Sequence, residues 1–187
     1  MKIVFFDSSK QAGNVGITWK MGAAIFPFLN KADYACGVSS LDELFAKLQS
    51  LPDDSIDQIQ YWGHGSPGFF IIGDDWVSAK GADKIKDQIQ RVLKKQGCFW
   101  LRTCSSFQGA SGKKFAEELA NKFDRRVAAH TFLIGLFHSG LVALRPGETP
   151  YWQDLEGIVD TNGKLTTPMS SPSYPRTRLF WNSDLWI

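Results

Sequence analysis

The stretch that decides the fold runs from Gln58-Ile-Gln-Tyr-Trp-Gly-His64-Gly65-Ser-Pro-Gly68 to Gly97-Cys-Phe-Trp-Leu-Arg-Thr-Cys104-Ser-Ser-Phe-Gln-Gly109. Each half is an apolar, β-prone run that stops at a glycine-bounded turn, and helical spacing fills the interval between them. In an open parallel sheet, two strands joined by a right-handed crossover helix point their C-terminal ends the same way, and ligands gather beyond those ends. His64 and Cys104 are therefore expected on one sheet edge. An imidazole takes the proton of a thiol or holds it as thiolate, so the pair reads as a Cys-His dyad.

Outward from this stretch, Lys2 to Phe6 reads as a buried first strand that brings Asp7 to the same edge. Ser40 is the N-cap of a helix whose Leu41, Leu44, Phe45 and Leu48 share one face. Residues 8–38 carry glycines, Pro27 and mixed polarity, with Gly16 to Phe28 reading as a strand or hairpin. Phe69 to Trp76 is a short β element outside the main crossover. A helix over Ser78 to Lys95 follows, with Ile85, Ile89, Val92 and Leu93 inward and Gly97 as its stop.

The next helix is expected over about Gly112 to Phe123, which leaves Cys104 in the connection to a helix N-terminus, where partial positive charge favours a thiolate. Strands are expected near Arg125 to Ile134 and Ser139 to Leu144. Asn162-Gly163 between two β-prone runs signals a hairpin. The Pro- and Trp-containing tail with Trp181 and Trp186 reads as an extended arm packed by its aromatics. The fold class is thus α/β, three-layer, with a mostly parallel sheet flanked by helices. Residues 1–144 form the core, and 145–187 form a C-terminal hairpin and arm packed on it.

With 187 residues and 43% hydrophobic content, the chain suits one globular core. A net charge of +2 without a basic run points to neither a nucleic-acid nor a membrane partner. Cys36, Cys98 and Cys104 form no disulfide framework, and Cys98 and Cys104 on one strand lie about 20 Å apart. Reduced thiols suit a cytoplasmic protein. No metal-ligand spacing is present, and the dyad needs no metal or organic cofactor.

Two motifs fail on inspection. A nucleophile elbow around Ser66 requires glycine where His64 stands, and a phosphate loop at Gly112-Lys113 requires glycine where Phe107 stands and Ser or Thr where Lys114 stands. His130 is a rival base and reads better as a core or supporting histidine; His138 reads as structural. Asp74 and Asp75 read as surface-loop acids with a weaker claim on substrate.

A strand ending in His-Gly, a helix, and a strand ending in Cys followed by small residues resembles the caspase-like cysteine peptidases of clan CD: caspases, metacaspases, gingipains, separases and self-cleaving toxin domains. Tyr61-Trp-Gly-His64-Gly65-Ser-Pro-Gly68 and Cys104-Ser-Ser-Phe-Gln-Gly109-Ala-Ser-Gly112 are similar to bacterial members, including a domain of unknown function in large bacterial proteins. The resemblance covers roughly residues 1–144. It implies Cys104 as nucleophile, His64 as its proton partner, and the N–H groups of Gly65 and Cys104 as oxyanion donors. It also implies that Asp7, at the first strand's end, reads a basic substrate side chain through charge-assisted hydrogen bonds; on its own chemistry Asp7 reads equally as a solvated turn acid or a helix cap. Arg102-Thr103-Cys104-Ser105 departs from the acidic or glutamine-containing run of caspases, so the caspase specificity is not carried over, while the dyad is untouched. The expected function is a cysteine endopeptidase acting on a protein or peptide. The alternatives are a non-catalytic interaction module, with a protein partner on the C-terminal aromatic arm, and a Cys-His acyltransferase or amidase.

Overall fold

The computed structural model describes residues 1–28, 32–132, 134 and 137–152, with short strands at 158–159, 165–166 and 177–179. Its frame is a six-stranded sheet. Strand β1 (Lys2–Asp7) is followed by helix α1 (Gly13–Phe28), β2 (Tyr34–Val38), α2 (Leu41–Gln49) and β3 (Ile56–Trp62). A three-stranded excursion, β4 (Gly65–Ser66), β5 (Phe69–Ile72) and β6 (Asp75–Val77), then precedes α3 (Asp83–Val92), β7 (Leu93–Arg102), α4 (Gly109–Phe123) and β8 (Arg126–His130). The described chain closes with β9 (Phe137–Ser139), β10 (Leu141–Leu144), β11 (Ile158–Val159), β12 (Leu165–Thr166) and β13 (Thr177–Leu179). The main sheet runs β10-β8-β7-β3-β1-β2, parallel throughout except for β10 against β8. The protein is therefore α/β, with a mostly parallel mixed sheet flanked by helices.

Strand alternation sorts the sheet's side chains into two faces. Ile3, Phe5, Ile59, Tyr61, Phe99, Leu101, Val127 and Ala129 share one buried cluster with α2, α3 and α4. Those helices bring apolar stripes at helical spacing: Leu41, Leu44 and Leu48; Ile85, Ile89 and Val92; Phe115, Leu119 and Phe123. On the opposite face Val4 and Trp62 pack with Ala23 of α1, joined by Phe6 and Trp19.

Helix α2 starts as expected. The Ser40 side chain accepts from the Glu43 N–H at 3.1 Å, and the Glu43 carboxylate returns to the Ser39 N–H at 2.8 Å. Asp75 adds a third tie by accepting from the Leu41 N–H at 2.8 Å.

Three expectations are corrected. Gly16 to Phe28 is neither strand nor hairpin but most of α1. This helix is apolar nearly all round, with Ala23 buried on the sheet while Ile17 and Met21 are 61% and 62% exposed on its outer side. Its sequence therefore shows no polar side from which a period could be read. The helix expected to reach Lys95 ends at Val92, because Leu93 turns extended and pairs with Ile56 as a fully buried strand residue. Lys94–Gly97 then form an irregularity before pairing resumes at Gln58 and Cys98. Finally, α4 begins at Gly109 rather than near Gly112.

Beyond residue 144, Trp152 is buried in the main cluster; its indole N–H donates to the Phe107 carbonyl at 2.9 Å and its ring stacks on Phe107. Strands β11 and β12 pair antiparallel on either side of the expected Asn162-Gly163 turn, which lies outside the described residues. So do Trp181, Trp186 and most of the expected arm; within it, β13 pairs with β9. Among the described residues no helix is long and apolar enough to cross a membrane.

Candidate functional site

The register of β3 against β7 pairs Trp62 with Arg102. His64 and Cys104 each follow two residues later, so both leave the same end of adjacent parallel strands at the same level. The contact continues past the strands. A Cβ at Gly65 would run into Ser106 Oγ and come within 2.7 Å of Thr103 Cβ and 3.0 Å of the Cys104 carbonyl oxygen. Only glycine lets the backbone after His64 lie this close to the cysteine turn. The Gly68 N–H then donates to the Ser106 carbonyl at 3.1 Å.

The turn itself, Thr103 to Phe107, is held from three sides. The Ser105 N–H donates to the Phe132 carbonyl and the Phe107 N–H to the His130 carbonyl, both at 3.1 Å, which anchors it to the end of β8. Thr103 and Ser106, both fully buried, share a hydroxyl contact of 2.6 Å, and Ser106 Oγ donates to the Phe69 carbonyl at 3.0 Å. Ser105 takes a φ of 57°, a left-handed conformation that a non-glycine residue adopts only when its surroundings enforce it.

Cys104 is half-buried, and its Sγ accepts from the Ile134 N–H at 3.4 Å. Burial pushes the thiol's pKa up, and the Ile134 N–H pulls it only part of the way back. The helix end expected to favour a thiolate stands five residues on, beyond a turn, where α4 starts, and burial holds the thiol above its ordinary pKa. The His64 ring meets Trp19 of α1 edge to face, with centroids 4.9 Å apart. The antiparallel ladder of β4 and β5 places the Ile71 N–H on the His64 carbonyl at 3.0 Å. Its alternation turns the N–H of the next residue, Gly65, away from β5.

Asp7 stands at the end of β1 and is 0% exposed. Its carboxyl oxygens accept from the Ser9 N–H at 2.9 Å and the Gly73 N–H at 3.2 Å, which ties β1 to the β5–β6 hairpin. The described arrangement offers it no open face, and a basic side chain would reach it only after the hairpin moved. Tyr61 nearby has its phenol pKa raised well above the ordinary value, first by burial and then by the charge of Asp7. Asp74 accepts from Gln11 at 2.6 Å, and Asp75 is the tie to α2.

Beneath the two strand ends the second sheet face is polar and buried. The Arg102 guanidinium lies 4.1 Å above the Trp62 ring and 5.1 Å from that of Trp100, and donates to Gln60 at 3.3 Å. Gln60 in turn donates to Gln58 at 2.7 Å. His130, the rival base, is 0% exposed and accepts from the Trp100 indole at 3.3 Å, the setting of a core histidine. The His138 side chain lies outside the described residues. Of the other thiols, Cys98 is buried and pushed up to about 12 by burial, and Cys36 is half-buried on β2. Among the described residues no three His, Cys, Asp or Glu side chains form a group able to hold a metal ion.

Sequence reasoning missed Trp19, Thr103, Ser106 and the Ile134 N–H. Trp19 and Ile134 reach the site from distant parts of the chain, and Thr103 and Ser106 stand beside Cys104 as small residues that no motif singles out. Residues 33–140, from the residue before β2 to the residue before β10, match the family called Domain of unknown function (DUF4347). No curated protein matches the chain.

Proposed function

We propose that this chain, which belongs to the DUF4347 family, is a caspase-like cysteine endopeptidase acting through Cys104 and His64. In this reading the Cys104 sulfur attacks the peptide carbonyl while His64 accepts its proton. The Gly65 and Cys104 N–H groups hold the oxyanion, and the proton passes to the departing amine. Water then hydrolyses the thioester. The observation that carries the reading is the level placement of the two residues beyond the Trp62–Arg102 pair, with Gly65 pressed against the cysteine turn. A preference for basic residues, through Asp7, requires the β5–β6 hairpin to open. Residues 1–144 as the catalytic core and a reducing, cytoplasmic setting for the thiols belong to the same reading.

One observation favours a second reading, a non-catalytic interaction module. The Cys104 thiol is pushed up by burial instead of being held as a thiolate. Incubation of a peptide library with the wild type and with Cys104→Ala separates the two. The peptidase reading expects cleavage by the wild type alone; equal inactivity of two folded proteins favours the module. Transfer of an acyl group to an amine or alcohol, seen by product analysis, would select the acyltransferase or amidase alternative.

A further inference from the structure

We infer that Ser106 is a positioning residue for Cys104: it bolts the cysteine turn to the hairpin that follows His64, so that thiol and imidazole sit on one rigid unit. The catalytic consequence rests on the peptidase reading above; the positioning itself does not.

Ser106 Oγ donates to the Phe69 carbonyl, and a hydroxyl carries one hydrogen. The 2.6 Å contact must therefore run from Thr103 Oγ1 to Ser106 Oγ. A directed relay results, from Thr103 at the end of β7 through Ser106 to the first residue of β5. Both hydroxyls are sealed from water, where each bond lacks a competing partner and losing one leaves an unpaired polar atom.

The relay is doubled on the backbone by the Gly68 N–H on the Ser106 carbonyl. It spans Cys104 and the left-handed Ser105, a conformation that relaxes if unrestrained. Gly65 lies against the same two side chains, so the bolt also sets how near the backbone after His64 stands to the cysteine. Removing it frees the turn to swing Cys104 out of its half-buried place beside the Ile134 N–H.

This predicts two readouts that move in opposite directions, with the faster labelling confined to Cys104; a loss of general stability would also speed the labelling of Cys98, which is buried in the core. In the full chain, Ser106→Ala should label faster with iodoacetamide at Cys104, several-fold at neutral pH. Its peptide cleavage should fall about 10- to 100-fold in kcat with little change in KM, because a small misplacement of reacting groups carries a cost of that order. Thr103→Val, which keeps the shape and deletes the donor, should shift both readouts the same way by less, and Thr103→Ser should recover what Thr103→Val loses. If Ser106→Ala fails to fold, the Thr103 pair carries the test. A lowered melting temperature with wild-type labelling and kcat would overturn the inference. Were the wild type to cleave no peptide, the peptidase reading would fail separately, and labelling alone would decide: faster in the variants supports the bolt, unchanged refutes it.

Discussion

The two faces of the central sheet are built on different principles. The face under α2, α3 and α4 is mainly apolar, and its rows of Ile3, Ile59, Phe99 and Val127 and of Phe5, Tyr61, Leu101 and Ala129 interlock with three helix stripes. The other face places Gln58, Gln60, Trp62, Trp100, Arg102 and His130 out of water, held by side-chain hydrogen bonds and by a guanidinium stacked on indoles. The first face stabilises without direction, through area removed from water. The second is directional, so each group must find its partner, and it leads upward into His64 and Cys104. The proposed dyad stands on the face where geometry is specified rather than where most apolar area is buried.

Three perturbations sharpen this contrast, in descending order of effect. Phe99→Ala opens a cavity amid the rings of Phe70 and Phe123 and should cost about 3–5 kcal/mol in denaturant unfolding. A loss below about 1 kcal/mol would mean that the apolar face is not the main source of stability.

The alkaline limb comes next. The Cys98 pKa is raised to about 12, so the native state keeps the proton that the unfolded chain releases from its ordinary value of 9.0. That contribution is complete below pH 9 and is lost as the pH climbs towards 12. The melting temperature should fall over this window, by about 5 °C between pH 9 and pH 11, and less steeply in Cys98→Ala. Equal slopes would show that the thiol ionises without hindrance.

Gln58→Leu should be the mildest. Among the described residues the Gln58 Nε2 is buried without a partner, so the substitution removes an unsatisfied donor while it deprives Gln60 of an acceptor. The two effects offset to within about 1 kcal/mol. A large loss would show that the polar face is as brittle as the apolar one.

What was legible in the sequence follows from where the signals were local. Strand β1, the Ser40 cap, the β-rich excursion after His64 and the placement of His64 and Cys104 at strand ends rest on runs of apolar residues and turn chemistry within a few positions. Helix α1 was hidden because Ile17 and Met21 on its outer side are as apolar as Ala23 within. The Val92–Leu93 boundary was hidden because Leu93 fits the helical spacing equally well, and only its pairing with Ile56 settles the matter. In the site, Ser105 and Ser106 read as small residues after a cysteine. Nothing in the local sequence marks one for a left-handed backbone and the other for a bond to Phe69.

The most direct test is a crystal structure of the chain reacted with a peptidyl chloromethyl ketone. The account predicts a bond to Cys104 Sγ, the ketone oxygen about 3 Å from the Gly65 N–H, and a His64 ring nitrogen within about 4 Å of the sulfur. Alkylation at Cys36 or at a surface side chain, or an imidazole turned away from the sulfur with no room between them for a peptide, would contradict it.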